Sequence, residues 1–112
     1  MDKVTLYRQK VKQVLDEFVE YISGSPSPTD RFTVFDDEKN SYVVFDYGWH
    51  NGHRIHCMPT LMRIVNEKVW IEANNTDYLF ADRLLEADIP HEDIVLAFHA
   101  PEMRQYTDFA IG

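Results

Sequence analysis

His50-Asn51-Gly52-His53-Arg54-Ile55-His56-Cys57 brings three imidazoles and the chain's one thiol into eight residues, a set able to ligate a transition metal. Strand register decides whether it does. Asn51-Gly52 is the strongest two-residue turn signal, because both central positions of a type I′ turn need positive φ. Pairing across it sets His50 opposite His53, Trp49 opposite Arg54 and Tyr47 opposite His56. Side chains alternate along a strand, so His50 and His53 share one face and His56 points to the other. The hairpin therefore withholds a third ligand, and Cys57 reaches the His50 face only after a further offset. A strand bulge would change that count. No metal and no cofactor is expected. One Cys and five His permit a nucleophile and base to be drawn by accident, and an inert Cys57 is the expectation.

A second set lies near the end of the chain. His99, Arg104 and Tyr106 place an imidazole, a guanidinium and a phenol within eight residues, chemistry suited to a carboxylate or phosphate. The plainer reading is that they tie the tail to the sheet by hydrogen bonds. Asp36-Asp37-Glu38-Lys39-Asn40 lacks a Gly-bearing calcium loop and reads as a solvated turn. No phosphate-cradling Gly-rich loop, Gly-x-Ser-x-Gly elbow or His-Glu-x-x-His run is present, so no catalytic residue is assigned.

These side chains must be positioned by few elements. Val4, Tyr7, Val11, Val14, Leu15, Phe18 and Ile22 recur at helical spacing, predicting a helix over 4–22 packed on a sheet. Lys3 and Lys10 flank one edge of that stripe, Arg8 and Lys12 the other, so they form no single DNA-reading patch. Ser23 to Thr29 makes a short loop. Strands follow at Arg31–Phe35, on both sides of Asn51-Gly52, and at Leu61–Val65 and Lys68–Ala73 around Asn66-Glu67. Val43, Phe45, Tyr47 and Trp49 form an aromatic face, with Arg54, His56 and Met58 across from it. Packing beneath the opening helix is the favoured reading of that face. The alternative is a recognition surface, with Trp49 beside Arg54 as its anchor. Thr76 or Asp77 can cap a second helix running to about Ala87. Pro90 starts a short turn, Ile94 to Phe98 is a buried run, and Pro101 interrupts its continuation. The order predicts an α+β domain: N-terminal helix, antiparallel sheet of about four strands in two hairpins, second helix and a C-terminal wrapping segment.

Charge narrows the partners. Eleven basic against nineteen acidic residues give −8, and protonating all five histidines only reaches −3. Residues 1–12 carry +3 by count, leaving −11 for the remainder. Nucleic-acid affinity comes largely from Lys and Arg neutralising phosphates, so tight duplex binding by this chain alone is disfavoured. A basic partner surface is the better match. The 112 residues suffice for one domain over 1–112, able to bury roughly two thirds of its surface. No run of 18 apolar residues and no signal-peptide core occurs, and a lone cysteine suits a reducing cytoplasm, where the protein is expected. Exposed strand edges and the aromatic face make a homodimer reasonable.

Three segments carry a family resemblance: residues 47–58 (YGWHNGHRIHCM), 68–77 (KVWIEANNTD) and 90–111 (PHEDIVLAFHAPEMRQYTDFAI). Together they resemble the XisI family of cyanobacteria, which has a Gly-Trp hairpin, a Trp-Ile strand and a tail of the form P-x-E-D-I-V-L-x-F-H-x-P followed by R-x-Y-T-x-F. That family typically has Asp-Gly where this chain has Asn66-Glu67, and Glu67 is less comfortable at positive φ. A longer turn or another type is therefore expected there. The resemblance implies a non-catalytic controlling factor for excision of the fdxN DNA element during heterocyst development, acting beside a XisH-type protein while a separate recombinase does the strand chemistry. The competing class is a small-ligand sensor or unrecognised enzyme using His99, Arg104 and Tyr106. Direct DNA binding comes third.

Overall fold

The computed structural model describes residues 2–23 and 29–112, and of Ile22 and Ser23 the backbone alone. Of the loop expected over Ser23 to Thr29, Ser23 ends the first helix and Thr29 opens the first strand, while residues 24–28 lie outside the described residues, as does the side chain of Ile22. Helix α1 runs Lys3–Ser23. Asp2 caps it, its carboxylate accepting the Thr5 amide at 2.7 Å. Tyr7, Val11, Val14, Leu15 and Phe18 of the apolar stripe are buried, and Val4 is partly so.

Five strands form one sheet in the order β1-β2-β3-β4-β5: β1 Thr29–Asp36, β2 Ser41–His50, β3 His53–Val65, β4 Lys68–Asn74 and β5 Ile94–Leu96. The first four are antiparallel neighbours, and β5 pairs parallel to β4. Where the sequence predicts two hairpins and a buried run, the run is a fifth strand and β3 serves both hairpins. The parallel step needs a crossover, which α2 (Phe80–Glu86) supplies. Phe80 and Leu84 of α2 join α1 over one face of the sheet, against Tyr42, Val44, Met62, Ile64, Val69, Ile71 and Ile94.

Three local expectations need correction. Thr76 and Asp77 do not cap α2, whose N-cap position is Leu79 with no side-chain hydrogen bond. Thr76 instead closes a turn, its hydroxyl bonding Asn74 at 2.8 Å and accepting the Tyr78 amide at 3.0 Å. The Asn66-Glu67 turn is neither longer nor of another type: two residues join Val65 to Lys68, with φ of 52° and 63°. Glu67 accepts the left-handed conformation because the flanking strands dictate the turn. Finally, the aromatic face of β2 does not lie beneath α1. Tyr42, Val44 and Asp46 face the helix, and Val43, Phe45, Tyr47 and Trp49 face away.

Asp46 explains how that orientation is tolerated. It is 9% exposed on the helix side, yet Arg31, its cross-strand partner, holds both carboxylate oxygens. The Arg31 guanidinium stacks on Phe18 of α1 at 4.9 Å. A paired, stacked charge can sit where a lone one could not.

Candidate recognition face

The register foreseen across Asn51-Gly52 is the one observed: His50↔His53, Trp49↔Arg54 and Tyr47↔His56. Both turn residues have positive φ, 51° and 77°. His56 therefore lies with Tyr47 on the face opposite His50 and His53. Farther along, the register shifts between Val44 and Asp46, where β3 inserts one extra residue near Pro59. Proline has no amide to donate, and a bulge is where a central strand can accept it. Asn75 binds the freed carbonyls, its amide to Pro59 at 2.8 Å and its side chain to Met58 at 2.9 Å.

The outward face of β1–β3 is a continuous aromatic surface. Phe32 pairs with Phe45 and Val34 with Val43 across β1 and β2. The Phe32 ring lies 5.5 Å from both Phe45 and Tyr47. Phe32 and Val34 are each 43% exposed and Trp49 is 63% exposed. Arg54 stacks over Trp49 at 5.4 Å and reaches the Gly48 carbonyl at 3.4 Å. Aromatic area at low entropic cost, edged by a guanidinium, is the composition of a protein-binding anchor. Phe32 and Val34 were missed by sequence reasoning, although their alternation with Arg31 and Thr33 carried the signal.

The tail covers the other half of this face. Pro101–Tyr106 forms a 3-10 turn, and Ala110 bridges Val95 of β5, its amide donating to Ile94 at 2.8 Å. Arg104 organises the segment by donating to the carbonyls of Ala97 at 3.2 Å, His99 at 3.1 Å and Ile111 at 3.5 Å. Its guanidinium lies 5.4 Å from the Trp70 ring of β4. Of the tail candidates, the backbone carbonyl of His99 therefore meets Arg104, whereas the His99 ring packs on Phe98 at 4.6 Å. Tyr106 is 76% exposed, with no side-chain hydrogen bond among the described residues. Arg104 thus serves the tail-tying role.

Cys57, Asp93 and the cations of α1 meet partners within the chain. The Cys57 thiol sits 3.9 Å from Asp46, and burial together with that carboxylate pushes its pKa up, away from the reactive thiolate. Buried Asp93 accepts bonds from Lys3 at 2.7 Å and from the Tyr7 hydroxyl. Burial raises its pKa, but those two donors outweigh it and leave the carboxyl below its ordinary value. The cations of the first twelve residues are all tied to the body: Lys3 to Asp93, Arg8 to Asn40, Lys10 to the Ala87 carbonyl and Lys12 to Asp37.

The family model described as XisI protein matches residues 1–111. The chain belongs to the XisI family. The crystal structure of the fdxN element excision controlling factor XisI from Anabaena variabilis is 31% identical, covers 99% of this chain and 100% of its own, and superposes with a TM-score of 0.88. A XisI-like protein from the same organism is also 31% identical, over 97% and 99% of the two chains, with a TM-score of 0.89. No curated protein matches. The XisI fold thus accounts for the helix, the sheet and the wrapping tail together. Among the described residues no helix is long and apolar enough to cross a membrane.

Proposed function

We propose that this chain is a non-catalytic controlling factor for excision of a DNA element of the fdxN type, in the setting of heterocyst differentiation. It works in the cytoplasm through a protein partner of the XisH type. One observation carries the reading: a bare aromatic sheet face, Phe32, Phe45, Tyr47 and Trp49 with Arg54, on a chain of net charge −8. The apolar rings supply contact area, and the acidic body draws in a basic partner while repelling DNA. Kinship with a protein named as an excision controlling factor supports the process.

Co-purification with the XisH-type protein tests this at low and high salt. A complex at low salt, weakened but not abolished at high salt, is expected. Absence of a complex under both conditions removes the reading, as does retention of duplex DNA by the isolated chain at cellular ionic strength.

A further inference from the structure

A second concavity lies on the helix side of the sheet, where the end of α1, the start of β1 and the segment leading into α2 converge around about 460 Å³. Its walls are aromatic. Tyr78 meets Phe18 edge-on at 4.9 Å and Tyr21 at 5.6 Å, and Tyr21 remains 73% exposed. Two guanidiniums already lie on these rings, Arg31 over Phe18 at 4.9 Å and Arg83 over Tyr78 at 5.6 Å. Both are charge-neutralised within the chain, Arg31 by Asp46 and Arg83 by Glu86 at 2.8 Å.

What remains at the rim is negative. Asp77 and Asp82 are exposed, and neither side chain has a hydrogen bond or ion pair among the described residues. Among the described residues an anionic ligand would find no free cation here. A planar cation would find the exposed Tyr21 ring on which to stack and two carboxylates to meet its N–H groups. Guanidinium suits this better than ammonium, because it is flat, weakly hydrated and able to bind carboxylates in a fork.

We propose that this cleft binds an arginine side chain presented by a basic segment of a partner protein. The site is separate from the aromatic sheet face and stands or falls independently of it.

The test is a titration of the isotopically labelled full chain with a short peptide of alternating arginine and glycine, followed by amide resonances. Saturable shifts centred on Tyr21, Tyr78 and Asp82 are expected. The double variant Asp77→Asn/Asp82→Asn is expected to weaken binding at least tenfold with its melting temperature unchanged. Glu102→Gln/Asp108→Asn removes the same formal charge from the tail and is expected to leave binding as it was. A lysine-glycine peptide is expected to bind at least threefold more weakly. Shifts scattered over the surface, lack of saturation, equal loss in both double variants, or equal binding of the lysine peptide would each overturn the assignment.

Discussion

Trp49 is the residue whose placement matters most. A ring that is 63% exposed contributes little to folding, so Trp49→Ala should change stability by less than about 0.5 kcal/mol in urea unfolding. At an interface the same truncation typically costs about 2 kcal/mol, or roughly thirtyfold in partner affinity by titration calorimetry. Asp93 is its opposite, a polar residue with a structural task. Removing a buried carboxylate that answers Lys3 and Tyr7 leaves donors unsatisfied, so Asp93→Ala should cost about 3 kcal/mol at neutral pH. Since the folded pKa lies below the ordinary 3.8, this contribution is complete above 3.8 and disappears as the pH falls through the lower folded value. Urea unfolding should therefore show the gap between wild type and Asp93→Ala narrowing below about pH 4.

At the scale of elements, local signals and tertiary choices separate cleanly. The α1 stripe and the Asn51-Gly52 register were legible because each is set by short-range geometry: helical spacing in one, a turn requiring positive φ in the other. Which face of β2 turns inward was not. Both of its alternating sets are largely apolar, Tyr42 and Val44 against Val43, Phe45, Tyr47 and Trp49, so periodicity defines two faces without ranking them. The inner set contains Asp46, and only its long-range pairing with Arg31 makes that set acceptable in the core. The acidic aromatic cleft was illegible for the same reason, being assembled from three segments distant in sequence. The Asn66-Glu67 turn offers a direct test of local strain. A non-glycine residue held at φ 63° costs about 1 kcal/mol, so Glu67→Gly should raise stability by about that amount in thermal unfolding.

Over the whole molecule, charge and covering act together. Helices bury one face of the sheet, the tail covers part of the other, and the aromatic rings of β1–β3 remain open to water. The cations nearest the amino terminus are held by groups of the body, so the −8 charge is not offset by a free basic patch there. Trp49 itself reports most directly on whether this face is the docking surface. Trp70→Phe leaves it the sole indole, and its emission can be followed while the XisH-type protein is added. A blue shift with reduced acrylamide quenching, saturating as the complex forms, is the expected result. Complex formation with Trp49 emission and quenching unchanged would contradict docking on the aromatic face.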